Sequence, residues 1–105
     1  MSFQVVYSPT AIRDLDRVWA EVYEASKEET AARYIEELMD CVSEKRHFPK
    51  SGSPLYYEGS FNGYYFVVFK AYMAFYRVQD ERVLVDRVVF RRSDYMRIIF
   101  RNQNQ

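Results

Sequence analysis

Near residue 59 the apolar pattern of this chain changes period, and that change decides what the chain can fold into. Upstream, apolar side chains recur every three or four positions, as on one side of a helix. Downstream, Tyr, Phe and Val crowd into short runs broken by turn residues, as in half-buried strands. Helices first and strands afterwards, in a chain of 105 residues, make an α+β protein with one core rather than the alternating units of a parallel α/β fold. We read residues 1–105 as a single domain.

The chain opens on a strand. Phe3, Val5 and Tyr7 alternate with Gln4 and Val6 until Ser8-Pro9 stops the pairing. The same two residues start a helix, because Ser8 can accept a backbone N–H as its cap and Pro9 fits the first helical position, where a missing donor costs nothing. Ile12, Leu15, Val18, Trp19, Val22 and Tyr23 mark the buried side of that helix, with Arg13, Asp14, Asp16, Arg17 and Glu21 on its other faces. Ser26 followed by Glu29 has the form of a capping box and predicts a second helix from about residue 27. Its core stripe is Ala32, Ile35, Leu38, Met39 and Val42, with Tyr34 at the edge. It should end near His47, since Pro49 disfavours helical geometry at Phe48 and Lys45, Arg46 and His47 suit the negative end of the dipole. Two such helices joined by a few residues form an antiparallel hairpin.

Residues 50–54 are turn-rich, 55–57 form a short extended piece and 59–63 a second turn. The runs 64–70, 72–78 and 83–90 then read as strands, with a hairpin turn over 79–82. A turn centred on Asp80 and Glu81 puts Ala74, Tyr76, Val78, Val83, Val85 and Val89 on one apolar face, expected beneath the helix hairpin. Met73, Phe75, Arg77, Leu84, Asp86, Val88 and Phe90 then take the open face, where Asp86 lies diagonal to Arg77 and can pair with it. Residues 93–100 predict a short closing helix, and the polar tail from Asn102 to Gln105 is expected to fray. The expected architecture is an N-terminal strand, an antiparallel helix hairpin packed on one face of a twisted antiparallel sheet, and a short C-terminal helix.

Lys plus Arg and Asp plus Glu number fifteen each, so no overall field draws the protein to nucleic acid, and any such attraction must be local. Charge is in fact segregated. Residues 14 to 44 are mostly acidic, whereas Arg87, Arg91, Arg92, Arg97 and Arg101 stand against the single acid Asp94. Aromatic residues make up 18% of the chain, more than a core of this size readily hides, so some rings should reach the surface and meet another macromolecule. Cys41 is alone, which excludes a disulfide framework and a cysteine zinc site, reads as a buried thiol on a helix, and implies a reducing compartment. His47, at a basic helix end, reads as a surface residue. With no basic-then-apolar start and no run approaching the ~18 apolar residues of a membrane span, a cytoplasmic protein without a membrane partner, cofactor or metal is expected.

Several segments, in order, resemble the RelE/ParE toxin superfamily across roughly residues 3 to 95. The opening strand into Ser8-Pro9-Thr10-Ala11 and Asp14-Leu15 is similar to the start of the family's first helix. Ala31-Ala32-Arg33-Tyr34-Ile35, then Phe48-Pro49 and Gly52, resembles its second helix and exit loop. Tyr72-Met73-Ala74-Phe75-Tyr76-Arg77-Val78, then Val88-Val89-Phe90-Arg91-Arg92-Ser93-Asp94, resembles its paired final strands and terminal basic motif. The resemblance implies a bacterial toxin of a toxin-antitoxin system, of the plasmid-stabilisation kind, that halts growth and is held inactive by a cognate antitoxin. A homodimer and a toxin–antitoxin hetero-oligomer both remain open.

It also implies two activities on one fold, since RelE-like members cleave messenger RNA in the ribosome and ParE-like members poison DNA gyrase. Metal-free RNA cleavage needs a base for the ribose 2′-OH, cations for the developing charge and a donor for the leaving oxygen. Where RelE-like enzymes carry basic residues on the first strand of the meander, this chain has Tyr65 and Val67. Met73 stands in place of an Arg and Phe90 in place of a His. A nuclease would be left with Arg77, Arg92 and Tyr95 as a metal-independent endoribonuclease, and a structural pair with Asp86 competes for Arg77. The ParE-like branch is therefore the leading expectation, with Arg91, Arg92, Tyr95 and Arg97 as the surface for target or antitoxin. The ribosome-dependent nuclease and an inactive relic that still binds antitoxin are the alternatives.

Overall fold

The computed structural model describes residues 2–101, with side chains as far as residue 100. The tail expected to fray, from Asn102 to Gln105, and the side chain of Arg101 lie outside the described residues. The elements run β1 (Gln4–Tyr7), α1 (Pro9–Ala25), α2 (Glu28–Ser43), two 3-10 turns (Glu44–Arg46 and Pro49–Ser51), β2 (Ser53–Tyr57), β3 (Ser60–Phe69), β4 (Tyr72–Gln79), β5 (Arg82–Phe90) and α3 (Tyr95–Arg101). Five strands form one sheet in the order β1-β5-β4-β3-β2. The expected α+β layering holds, with one refinement: β1 joins the sheet edge parallel to β5, from Gln4 beside Arg82 to Tyr7 beside Val85. A parallel pair needs a long crossover, and α1, α2 and the rest of the sheet provide it. Among the described residues no helix is long and apolar enough to cross a membrane.

Ser8 caps α1 as expected, its Oγ accepting the Ala11 N–H at 3.0 Å while donating to the Asp86 carbonyl, also at 3.0 Å. The helix is rotated relative to the expected stripe. Ala11, Asp14, Leu15 and Val18 are buried, whereas Ile12 and Tyr23 are about half exposed. The capping box does not form: Ser26 closes α1 instead, its Oγ donating to the Val22 carbonyl at 2.8 Å, and Lys27 precedes α2 without a side-chain cap. A short connection between antiparallel helices leaves that hydroxyl closer to the helix it ends than to the one it precedes. In α2 it is Ala31, Leu38 and Val42 that are buried, while Ala32 and Met39 face outward. Cys41 is half-buried rather than buried, and burial raises its thiol pKa.

The β4–β5 turn is centred where expected, with Gln79 opposite Arg82 and Val78 opposite Val83. The expected faces then fail beyond Val85. Tyr76 stands opposite Val85 but Phe75 opposite Arg87, so Asp86 is an extra residue, a β-bulge. One added residue inverts the alternation that follows. Val88 joins Ala74, Tyr76, Val83 and Val85 under the helices, and Val89 joins Met73 and Phe75 on the other face, against expectation for both valines. Phe90 likewise comes to lie across from Tyr72, with ring centroids 5.9 Å apart.

Candidate functional site

The arginine-bearing end is built by the exit of β5. Arg91 continues the strand far enough for its N–H to reach the Ala71 carbonyl at 2.8 Å, and its guanidinium donates to the Lys70 carbonyl at 3.3 Å. Ser93 then folds the chain back, donating its N–H at 2.9 Å and its hydroxyl at 2.6 Å to the Phe90 carbonyl. The turn aims Arg92 outward, and it is in no ion pair among the described residues. On α3, Arg97 is exposed and only loosely tied to Asp94, at 3.4 Å. Tyr95 is half-buried with its ring on Phe75, centroids 5.6 Å apart, so its position is fixed by the sheet. Arg91 and Arg92 thus leave the end of β5, and Tyr95 and Arg97 follow within the first turn of α3, which packs back onto the sheet.

Arg77 stands elsewhere. It pairs with Leu84 near the start of β5, so roughly 20 Å of strand separates its backbone from that of Arg92. Its Nε donates to Asp86 Oδ2 at 2.7 Å, and the Tyr64 hydroxyl donates to the same oxygen at 2.8 Å. The hydrogen bond to Asp86 is the main reason the Arg77 pKa is raised further. The bulge that places Asp86 is thus occupied in holding a cation and a phenol.

The remainder of this sheet face is apolar. Leu55, Met73, Phe75 and Val89 lie beneath Ile99 and Phe100 of α3, and Phe100 stacks on Tyr57 with centroids 4.4 Å apart. Tyr65 and Val67, the positions compared with basic residues of the nuclease branch, turn the other way and pack into the core under the helices. Their neighbours Tyr64, Phe66 and Val68 face α3's side of the sheet, and they add no cation. His47 is exposed, near Ser2 Oγ and Arg46 Nε, as expected of a surface residue.

Arg87 and Asp14 form a group that sequence reasoning missed. Asp14 is 2% exposed yet accepts from Arg87 Nε at 2.8 Å, Arg87 Nη2 at 3.1 Å, the Val88 N–H at 2.9 Å and Arg17 Nη2 at 2.8 Å. Arg87 is thereby withdrawn from the exposed basic cluster into an α1–β5 clamp. A usable signal was present: Asp14 lies three residues after Ala11 and four before Val18, within the apolar stripe, where a carboxylate needs a cation.

The helix hairpin on a five-stranded sheet, closed by a short C-terminal helix, is a fold that solved toxin structures share. The chromosomal ParDE toxin-antitoxin system of P. aeruginosa superimposes with a TM-score of 0.72 at 15% identity, covering 85% of this chain and 96% of that one. The RelBE2 toxin-antitoxin complex of Mycobacterium tuberculosis gives 0.64 at 22% identity, over 89% and 95% of the two chains. The isolated E. coli RelE toxin gives 0.61 at 17% identity, over 96% and 99%. These likenesses concern the fold. No curated protein sequence matches the chain. The family model described as the ParE toxin of the type II toxin-antitoxin system, parDE, matches residues 5–95, and the chain belongs to that family.

Proposed function

We propose that this toxin arrests growth by binding rather than by catalysis, that its target is DNA gyrase, and that a cognate antitoxin holds it inactive. Membership of the ParE family supports the target, and the ParDE and RelBE2 assemblies among the solved structures support the antitoxin. This role puts the protein in the cytoplasm with its target.

The observation that carries the binding mode is the closed, apolar state of the sheet face opposite the helix hairpin. Ile99 and Phe100 cover Met73 and Phe75 there, and Arg77 is already held by Asp86. Phosphodiester cleavage requires preorganised cations and a proton acceptor around an open site, and the loss of one such donor typically costs about 3–4 kcal/mol of transition-state stabilisation. Arg91, Arg92 and Arg97, with Tyr95 beside them, instead form an exposed surface on which planar guanidinium groups can pair bidentately with carboxylates or phosphates.

Expression without antitoxin tests this reading. Loss of plasmid supercoiling with intact transcripts, and inhibition of purified gyrase by purified toxin, are the expected results. Transcripts cut at translated codons with supercoiling preserved would replace it with a ribosome-dependent endoribonuclease, and normal growth would mark an inactive relic.

A further inference from the structure

The tip of the helix hairpin and the exit of β5 belong to the same end of the molecule. Glu21 of α1 accepts a hydrogen bond from the Tyr72 hydroxyl at 3.0 Å, and Tyr72, the first residue of β4, stands across from Phe90, the last of β5. On α2, Tyr34 packs edge-on against Phe69 and Tyr72, with ring centroids 5.2 and 5.9 Å away. Both helices are thus pinned over the strand ends. From there α1 runs one further turn, to Ala25, before the chain reverses into α2 at Glu28. That turn carries Glu24, and the start of α2 carries Glu28 and Glu29; all three are exposed, with Lys27 the one cation among them. Arg91 and Arg92, also exposed, leave the sheet at this same end.

Neither group is neutralised within one copy. Among the described residues Glu24, Glu28, Glu29, Arg91 and Arg92 are in no ion pair, whereas the neighbouring cations are taken, Lys70 by Glu37 at 3.7 Å and Arg97 by Asp94 at 3.4 Å. Each group also has an exposed ring beside it: Tyr23, 47% exposed, precedes Glu24, and Phe90, 44% exposed, precedes Arg91. A wholly acidic partner would be repelled by the hairpin tip, and a wholly basic one by the arginines. Both signs are satisfied together only by a surface that carries them in the reverse order. A second copy turned about a two-fold axis supplies that order by symmetry, because in an isologous contact each group meets its opposite twice.

We propose that the free protein forms a two-fold dimer through this end, Glu24, Glu28 and Glu29 of each copy pairing with Arg91 and Arg92 of the other while Tyr23 and Phe90 are covered. A formal net charge of zero leaves no overall repulsion between copies. The charged pairs are exposed and the apolar area is small, so the dimer is weak and sensitive to salt. The pairing goes beyond the target reading above and does not depend on it. On that reading it adds a regulation, since the dimer covers Arg91 and Arg92 and only the monomer presents them to gyrase.

Sedimentation velocity of the purified protein over a range of concentrations, at about 0.05 M and about 0.5 M NaCl, tests the pairing. The expected result is a dimer fraction that rises with concentration at low salt, with self-affinity weaker by about tenfold or more at high salt. Arg91→Glu/Arg92→Glu and Glu24→Lys/Glu28→Lys should each be monomeric at low salt. An equimolar mixture of these two variants should form a one-to-one dimer, because each reversed group then faces its complement. All four side chains are exposed, so unfolding curves should stay close to wild type. If the Glu24→Lys/Glu28→Lys variant misfolds, loss of the dimer in the arginine variant together with the salt dependence decides. Wild type that stays monomeric at low salt, variants that still dimerise, or a mixture that stays monomeric would each overturn the interface. None of these results bears on growth arrest, so the target reading stands or falls separately.

Discussion

Asp14 shows how much one side chain can carry at the residue scale. It is a buried carboxylate that accepts two bonds from Arg87, one from Arg17 and one from the Val88 N–H, and so joins α1 to β5 directly. Asp14→Ala would leave Arg87 partly buried without its counter-charge and a buried amide without an acceptor, at an expected cost of about 3–5 kcal/mol in urea unfolding. Arg17 is 54% exposed and only one turn away, so Arg17→Ala should cost no more than about 1 kcal/mol. Equal losses in the two variants would refute the clamp. Titration offers a second check at this scale. The hydroxyls of Tyr7, Tyr72 and Tyr76 are each pushed up from 10.0 to about 12, chiefly by burial. The folded state then keeps protons that the unfolded chain releases first. This stabilisation is complete below pH 10.0, and it should be lost as pH climbs from there to about 12. Urea midpoints at about pH 8 and about pH 11 would show the decline, and a flat profile would contradict it.

At the scale of elements, the β4–β5 hairpin is strained at its tip and inverted in its middle. Asp80 and Glu81 both hold positive φ, 53° and 60°, as a two-residue turn between twisted strands requires; Asp tolerates that conformation, whereas Glu does so at a cost. Glu81→Gly should therefore stabilise the protein by about 1 kcal/mol, seen as a higher urea midpoint at unchanged slope. The Gln4 N–H to Glu81 carbonyl bond survives this change because it uses the backbone alone. A lower midpoint would mean that the Glu81 side chain contributes more than the turn strain costs. Further along, the extra residue Asp86 turns Val88 toward the helices and frees its own carboxylate for Arg77 and Tyr64. A single insertion in the ladder thus sets both the core partner and the polar group of the opposite face.

At the scale of the whole molecule, a formal charge of zero conceals a polar arrangement of surfaces. The α1–α2 layer is acidic, whereas the exit of β5 carries the exposed side chains of Arg91 and Arg92. Arg91→Glu combined with Arg92→Glu should abolish growth arrest on expression without antitoxin. Stability should change by less than about 0.5 kcal/mol for each substitution, since both side chains are exposed. Undiminished arrest would move the target contact away from this end.

The element order was legible in the chain because periodicity, the Ser8-Pro9 start, and the turn at Asp80 and Glu81 act through neighbours a few residues apart. So was the Arg77–Asp86 pair, which a symmetric hairpin turn places on one face. The rotation of α1, the parallel edge pairing of β1 and the bulge at Asp86 were not legible, because each depends on partners far along the chain. Asp14 and Val88, which meet through a hydrogen bond, are 74 positions apart. A groove lined by Phe3, Phe48 and Val78 belongs with these, since the three come from separate stretches of the chain. Local spacing determined which helices and strands exist; only long-range packing decided which of their faces are buried, because burial is settled by whatever arrives opposite.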